Sequence, residues 1–145
     1  MKLQGFRHTG IVVRNLDQAV AFYEALGFKT WKRELEQGQF LETVVGLKNV
    51  RVETAKLNAP CGALLELLEY HSHPVQMEIS PQPSNKLGCS HIALTVGSID
   101  EALECVQNQG GSLVNPPSTV PHGKVRVAYC HDPEGNLMEF VEELL

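Results

Sequence analysis

The sequence repeats itself once, and this repeat constrains the fold more than any other feature. With His8 aligned to His91, an offset of 83 residues, two copies match without a gap for twenty residues: HTGIVVRNLDQAVAFYEALG and HIALTVGSIDEALECVQNQG. Each copy has a short apolar run that contains the histidine, a polar break, and apolar residues at helical spacing. Each copy is therefore predicted to form a strand, a turn and an amphipathic helix.

The ends of both predicted helices carry their own signals. Ser98 and Asn15 stand at the expected N-cap positions, each followed three residues later by a glutamate or a glutamine. Gly27 and Gly110 stand where a residue in the left-handed conformation would end each helix. The two helices are thus predicted to begin and end at equivalent positions.

The tails of the two copies also match. GALLELLE, which starts at Gly62, aligns with GNLMEFVE, which starts at Gly135, with an offset of 73 residues. The first copy is longer in its middle, where Gly38, Gly46 and Asn49 predict an extended loop between strands. Further strands are predicted at 28–35, 50–57, 112–114 and 124–130. The order βαβββ then occurs twice, which is an α+β fold.

A proline-containing segment separates the two copies. Pro74, Pro81 and Pro83 disfavour both helix interiors and central strands, and the segment has little periodicity. The predicted organisation is a single domain over 1–145 with three parts: module one (1–70), a linker (71–88) and module two (89–145). The linker is long enough to let the modules pair within one chain or exchange between two chains. We expect a homodimer.

Composition narrows the class of partner. The 145 residues have a net charge of −5 and are 43% hydrophobic and 20% charged, as in an ordinary globular protein. The twelve basic residues are scattered, which argues against nucleic acid or an anionic membrane as a partner. The N-terminus has no apolar leader segment, and no apolar run is long enough to span a membrane. We expect a cytoplasmic protein that acts on a small molecule.

The cysteines suggest no chemistry of their own. They lie far apart, form no CxxC pair, and belong to a chain that is large enough to need no disulfides. No pattern places a base or a positive field beside any of them. We expect free, mostly buried thiols at Cys61, Cys89, Cys105 and Cys130.

Two histidines and two glutamates do not fit a plain core. A single histidine in a strand is usually a packed or half-exposed residue, but His8 and His91 recur at one repeat position. Glu66 and Glu139 also recur, each among apolar neighbours, where an isolated ionised carboxylate is costly unless it is paired. A compensating cation is therefore favoured over a solvated strand edge.

These four side chains form a coherent set of metal ligands. Mixed nitrogen and oxygen donors suit Ni, Zn, Co, Mn or Fe, and two carboxylates neutralise a divalent ion. Four ligands on a metal that accepts six would leave two adjacent positions for a substrate with neighbouring oxygens. The set predicts one divalent metal held by His8, Glu66, His91 and Glu139.

Other acidic and imidazole side chains are weaker candidates. Glu69 and Glu142 lie at strand ends, where a carboxylate in water is the simpler interpretation. The remaining histidines lie in the linker or in predicted turns and are not expected to be ligands: His71, His73, His122 and His131.

The repeat and its ligand order resemble the vicinal oxygen chelate superfamily, which includes glyoxalase I, methylmalonyl-CoA epimerase, extradiol dioxygenases and bleomycin and fosfomycin resistance proteins. The most specific pieces are HTGIVVRNLDQAVAFYEALGF, SHIALTV and HDPEGNLMEFVE. The resemblance covers nearly the whole chain and implies curved mixed sheets that close around the metal. Glyoxalase I has a glutamate at the position of Glu66, epimerases have a glutamine there, and extradiol dioxygenases have no carboxylate. Glu66 therefore favours the glyoxalase I type.

Two positions depart from the glyoxalase I pattern. That enzyme usually has an arginine four residues after its first ligand and an asparagine four residues after its second, and both contact glutathione. Val12 and Tyr70 stand at these positions here. The resemblance therefore implies the metal and the reaction type but does not identify glutathione as the substrate.

The implied activity is that of a divalent-metal-dependent lyase or isomerase. The metal would act as a Lewis acid on a substrate with adjacent oxygens and stabilise the enediolate formed when an α-proton leaves. A carboxylate beside it would carry the proton, with Glu139 as the expected base and Glu66 as the second candidate. The alternatives are a methylmalonyl-CoA epimerase-like enzyme, an extradiol dioxygenase-like enzyme, and a metal-free small-molecule-binding resistance protein.

Overall fold

A computed structural model describes residues 2–74, 76–121 and 123–144. The chain divides into two compact units, Met1–Met77 and Glu78–Leu145. The described residues contain three helices and nine strands. None of the helices in this part of the chain is long and apolar enough to cross a membrane. The predicted α+β class with two mixed sheets is confirmed.

The first unit is built around a four-stranded mixed sheet. Its elements are β1 (Thr9–Val12), α1 (Leu16–Ala25), β2 (Lys29–Gln37), α2 (Gln39–Val45), β3 (Arg51–Asn58) and β4 (Leu64–Tyr70). The strand order is β1-β4-β3-β2, in which β1 runs parallel to β4 and the other pairs are antiparallel.

The second unit has a similar plan, with one helix fewer and one short strand more among its described residues. Its elements are β5 (Ile92–Thr95), α3 (Ile99–Asn108), β6 (Ser112–Leu113), β7 (Ser118–Thr119), β8 (Val125–His131) and β9 (Leu137–Glu143). The order is β5-β9-β8-β6, with β7 also paired to β8, and β5 runs parallel to β9. The first and last strands of each unit pair in parallel from near their starts, with Thr9 beside Leu65 in the first unit and Ile92 beside Met138 in the second.

Each sheet buries one face against its helix and keeps polar side chains on the other. Successive strand residues point to opposite faces, so the buried Leu65 and Leu67 share a face that Glu66 does not. In the first unit α1 contacts β2, β3 and β4, and in the second α3 contacts β6, β8 and β9. The buried residues of the two helices are Leu16, Ala19, Phe22, Tyr23, Ile99, Leu103 and Val106.

The predicted helix ends are confirmed. The side chain of Asn15 accepts a hydrogen bond from the backbone N–H of Gln18, and the side chain of Ser98 accepts one from Glu101. These contacts satisfy backbone donors that have no partner inside the helix. Gly27 and Gly110 have φ values of 98° and 86°, the left-handed conformation expected just after each helix.

The extended loop predicted in the middle of the first unit is wrong, because α2 forms there. Its two flanking glycines, which suggested a loop, are its caps: Gly38 is the N-cap and Gly46 is a left-handed C-cap. Asn49 does adopt a positive φ of 53° in the turn that follows. The short strand β7 was also missed, and both histidines lie one residue before their strands rather than inside them.

Part of the predicted linker packs onto the second unit. The backbone N–H of Gln82 donates to the carbonyl oxygen of Gly135 at 2.9 Å. The carbonyl oxygen of Gln82 lies 2.9 Å from Nε2 of His131, which is buried. The segment therefore covers the turn between β8 and β9. Val75, in the same segment, lies outside the described residues.

Candidate metal centre

His8 and Glu66 form a side-chain pair in the first unit. Gly10 of β1 lies directly beside Glu66 of β4, so His8, two residues earlier, reaches the same face of the sheet. Nε2 of His8 lies 3.2 Å from Oε2 of Glu66. The glutamate is the more enclosed partner, with 14% of its side chain exposed. The hydrophobic strand thus presents its carboxylate away from the helix and toward the histidine.

His91 and Glu139 form the equivalent pair in the second unit. Ala93 of β5 lies directly beside Glu139 of β9, which repeats the register of the first unit. Nε2 of His91 lies 2.9 Å from Oε2 of Glu139, whose side chain is 20% exposed. The two parts of the sequence repeat therefore build the same local arrangement twice.

Each glutamate has a further partner directly across the sheet. Lys56 of β3 lies opposite Glu66, and its Nζ is 3.6 Å from Oε1. Tyr129 of β8 lies opposite Glu139, and its hydroxyl donates a hydrogen bond to Oε2 at 3.0 Å. Burial raises the pKa of Tyr129, and the hydrogen bond to Glu139 adds to this effect. Tyr129 is therefore a neutral donor, whereas Lys56 is a cation.

The second pair is also fixed by an aromatic contact. The rings of His91 and Tyr129 meet edge to face, with centroids 5.1 Å apart and an interplanar angle of 87°. Because Tyr129 contacts both His91 and Glu139, it restricts the orientation of each.

Around Lys56 the first unit has further charges. Glu34 of β2 lies 2.7 Å from Nζ of Lys32 and 3.6 Å from Nζ of Lys56, measured from its Oε1. The hydrogen bond from Lys32 lowers the pKa of Glu34 below its usual range. The face that bears His8 and Glu66 therefore carries a charged network that the sequence did not reveal.

The four predicted ligands come as one pair in each unit. Among the described residues, no three His, Cys, Asp or Glu side chains gather into one metal-binding group. Each pair nevertheless suits a divalent metal in the chemistry of its donors, because an imidazole nitrogen and a carboxylate oxygen converge on each other. A metal ion can bind both atoms of such a pair once neither of them carries a proton.

The described histidines outside these pairs have structural contacts. Nε2 of His71 lies 3.1 Å from Oε2 of Glu53, and Nδ1 of His73 lies 2.8 Å from the hydroxyl of Ser72. His131 ends β8 and is buried against the linker. His122 lies outside the described residues.

Glu69 and Glu142 are not the solvated strand ends that the sequence suggested. Oε2 of Glu69 accepts a hydrogen bond from the backbone N–H of Leu16 at 2.8 Å. Oε2 of Glu142 lies 3.4 Å from the backbone nitrogen of Ile99 and also accepts from Arg126. Each carboxylate thus binds the N-terminus of the helix in its own unit, where the helix dipole favours negative charge. The sequence feature that could have predicted this helix-capping role is that Glu69 and Glu142 occupy equivalent positions of the repeat.

The cysteines differ in burial from the prediction. Within the described residues none of the four is joined in a disulfide, as expected. Cys61 and Cys89 are exposed, so the expectation of mostly buried thiols is wrong for these two. Cys130 is buried, and desolvation raises its pKa to about 12. A thiol of this kind is a poor nucleophile at neutral pH.

Two units of βαβββ type, each with a mixed sheet and a His–Glu pair at the same repeat position, define a duplicated fold. The sequence matches the Glyoxalase/Bleomycin resistance protein/Dioxygenase superfamily over residues 5–140, and the chain belongs to this superfamily. The resemblance inferred from the repeat motifs is thereby confirmed.

Individual relatives carry related names. A lactoylglutathione lyase of Neisseria meningitidis is 30% identical over 138 residues, which cover 94% of this chain and 88% of the relative. A probable lactoylglutathione lyase of Synechocystis is 26% identical, and the match covers 93% of this chain and 92% of the relative. A crystal structure of a glyoxalase family protein from Bacillus cereus superposes with a TM-score of 0.92 at 30% identity, covering 100% of this chain and 97% of that protein.

Proposed function

We propose that this protein is a divalent-metal-dependent lyase or isomerase of the glyoxalase I type, which transfers an α-proton of a small substrate with adjacent oxygens. The observation that carries this proposal is the repeated His–Glu pair, with Nε2–Oε2 distances of 3.2 Å in the first unit and 2.9 Å in the second. The lactoylglutathione lyases among its relatives support the same class.

The proposed ligands are His8, Glu66, His91 and Glu139. When bound, a divalent metal supplies Lewis acidity toward the substrate oxygens. The proposal requires both His–Glu pairs to serve one ion, within one chain or between two chains of a homodimer. Two imidazoles would complete the set, and the two carboxylates would match the charge of the ion.

The protein's own contribution to catalysis is the movement of a proton. We assign the role of base to Glu139, whose carboxylate accepts a hydrogen bond from the neutral Tyr129 hydroxyl. The carboxylate of Glu66 is already matched by the ammonium group of Lys56. A carboxylate can take the α-proton from one carbon and return it to the neighbouring carbon. Glu66 is the second candidate for this role.

The test is turnover of the methylglyoxal–glutathione hemithioacetal by protein that has been stripped of metal and reloaded with Ni, Co, Zn or Mn. We expect turnover only with metal, and its loss in the His91→Ala variant. The control is Glu143→Gln, which removes one carboxylate at the exposed end of β9, the strand that bears Glu139. Equal turnover by the stripped and reloaded protein would contradict the proposal.

A second candidate is an epimerase-like enzyme that uses the same proton chemistry on a thioester. The observation that favours it is the pair of departures at Val12 and Tyr70, which replace the usual glutathione contacts of glyoxalase I. Methylmalonyl-CoA in place of the hemithioacetal tests it with the same metal-loaded protein. Oxygen consumption with catechols would instead favour a dioxygenase.

A further inference from the structure

Two lysines and a glutamate lie in one row across the first sheet. Lys32 of β2 is directly opposite Lys56 of β3, and Lys56 is directly opposite Glu66 of β4. Residues opposite one another in a sheet point to the same face. Both lysines therefore lie on the face that bears the His8–Glu66 pair.

This arrangement is unfavourable unless something compensates for it. Like charges directly opposite each other on neighbouring strands repel. Glu34 compensates in part, but its short contact of 2.7 Å is with Lys32. Lys56 lies 3.6 Å from both Glu34 and Glu66. These distances exceed the roughly 2.7–2.9 Å of a charge-assisted hydrogen bond. The ammonium group of Lys56 therefore makes no short hydrogen bond with either carboxylate.

The side chain of Lys56 does not pack into the hydrophobic core. Its neighbours Ala55 and Leu57 are fully buried on the opposite face, where α1 packs. The side chain of Lys56 is only 23% exposed, whereas that of Lys32 is 44% exposed. The row thus runs from a solvent-accessible cation, through a partly enclosed one, to the carboxylate of the candidate metal centre.

We propose that Lys56 and Lys32 form a subsite for an anionic group of the substrate, a carboxylate or a phosphate, whose reacting end lies at the His8–Glu66 pair. This inference rests on the proposed function. Val12 and Tyr70 offer no cationic side chain to an anionic group. Lys56 and Lys32 are cations on the correct face, and Lys56 is next to the candidate ligand. A metal on Glu66 would match the charge of that carboxylate and leave Lys56 to the substrate.

The experiment compares each anionic ligand with an analogue that lacks its carboxylate or phosphate charges. Calorimetry measures the binding of S-methylglutathione and its dimethyl ester, and of coenzyme A and pantetheine, to the zinc-treated protein. The variants are Lys56→Gln, Lys32→Gln and Lys56→Arg. The control is Lys48→Gln, which removes an exposed lysine in the turn before β3. Thermal unfolding of every variant identifies any loss of folding, and Lys56→Arg retains the cation if Lys56→Gln does not fold.

We expect Lys56→Gln to weaken binding of an anionic ligand about ten-fold, which is the loss of about 1.4 kcal/mol. Binding of the analogue without carboxylate or phosphate charges should be unaffected. Lys32→Gln should have a smaller effect, and Lys56→Arg and Lys48→Gln should bind normally. An effect with S-methylglutathione identifies a carboxylate subsite, and an effect with coenzyme A identifies a phosphate subsite. Equal affinities in wild type and Lys56→Gln, or no binding of either anion by the wild type, would overturn the subsite.

Turnover measured in parallel separates this inference from the proposed function. If the hemithioacetal is converted but KM is the same in wild type and Lys56→Gln, the subsite is wrong and the function stands. If neither the hemithioacetal nor methylmalonyl-CoA is converted, while anion binding depends on Lys56, the subsite stands and the proposed function is wrong. For a converted substrate, the expected change is in KM rather than in kcat, because Lys56 would bind a part of the substrate that does not react.

Discussion

Lys56 and Tyr129 occupy equivalent positions of the two repeats, and each lies directly across the sheet from the glutamate of its own His–Glu pair. Lys56 brings an ammonium group to 3.6 Å from Glu66, whereas Tyr129 donates a hydroxyl hydrogen bond to Glu139 at 3.0 Å. The duplication thus preserves the position of the two carboxylates but not their electrostatic surroundings. One glutamate is matched by a cation, and the other is bound by a neutral group.

This difference predicts that Lys56 competes with a metal for Glu66. Replacing Lys56 by Gln should tighten the binding of Zn or Ni by roughly five-fold, the upper range for a part-exposed ion pair. The measurement is competition with a chromogenic chelator at low salt, where screening is weakest. The matched control is Tyr129→Phe, which removes no charge and should not tighten binding. Tighter binding in both variants, or in neither, would contradict this view of Lys56.

Removal of the proposed ligands should weaken metal binding unequally. Glu66→Gln keeps an amide oxygen that can coordinate, whereas His91→Ala removes a nitrogen donor altogether. We therefore expect the apparent affinity to fall about 10–100-fold more for His91→Ala than for Glu66→Gln. Elemental analysis after dialysis against trace metal gives the stoichiometry, and an equal loss in the two variants would show that the amide oxygen does not replace the carboxylate of Glu66 on the metal. No metal in the wild type after loading would favour a metal-free binding protein.

Glu69 should stabilise the fold through the N-terminus of α1. Its carboxylate, on β4, accepts a hydrogen bond from the backbone N–H of Leu16, which lies 53 positions earlier in the sequence. Glu69→Ala leaves that donor without its acceptor and should cost about 1 kcal/mol of the free energy of unfolding. Glu69→Gln should cost less, because the amide oxygen can still accept. Urea unfolding measures both, and equal losses would show that the cap is not the cause.

The stability of the first unit should depend on pH through Glu53. The hydrogen bond from Arg33, followed by that from His71, lowers the pKa of Glu53 below its usual value of 4.5. A carboxyl whose pKa is lowered by folding stabilises the protein above its unfolded pKa, and this contribution is lost as the pH falls through the folded pKa. Glu53→Gln should therefore lower the free energy of unfolding by up to about 1 kcal/mol at neutral pH.

The same difference should shrink toward zero in acid, as the pH falls through the folded pKa of Glu53 and its carboxyl becomes protonated. Urea unfolding of both proteins at a series of pH values provides the measurement. Glu24→Gln, an exposed change on α1, is the control and should show no such dependence. A constant difference at every pH would assign the effect to something other than the charge.

The repeat allowed most of the fold to be predicted, because the hydrophobic periodicity and the residues that cap helices and form turns indicated the same elements in both copies. Asn15 and Ser98 cap the helices, and the matching tails form β4 and β9 with Glu66 and Glu139 at equivalent positions. What failed was local. Gly38 and Gly46 suggested a loop, but glycine is as suitable for capping a short helix as for a turn. Because α2 has no buried residue, its sequence lacks the regular spacing of apolar residues that would have predicted a helix.

The partners of the two glutamates could not be predicted because they depend on strand register. Nothing local to Lys56 indicates that it will face Glu66, since that pairing is set by the turn between β3 and β4. The repeat offset does place Lys56 and Tyr129 at one position, but residues so different in chemistry did not suggest a shared role. The helix-capping role of Glu69 was missed for the same reason, because its partner Leu16 is distant in sequence.

The final prediction concerns the base. Glu139→Gln should remove most turnover even where metal remains bound, because an amide can coordinate but cannot accept the α-proton. A substrate with deuterium at the α-carbon should react more slowly in the wild type or exchange its label with solvent, and oxygen should have no effect. Mass spectrometry of the product, together with the metal content of each variant, separates loss of the base from loss of the ion.

Glu66→Gln is the matched comparison, since it makes the same change at the equivalent position of the other repeat. If Glu139→Gln is fully active and Glu66→Gln is inactive, the two carboxylates exchange roles, and Lys56 then lies beside the base rather than beside a ligand alone. If both variants turn over normally with metal bound, a carboxylate base is ruled out. The proton would then have to move through another group, and Tyr129, 3.0 Å from Glu139, is the next to replace.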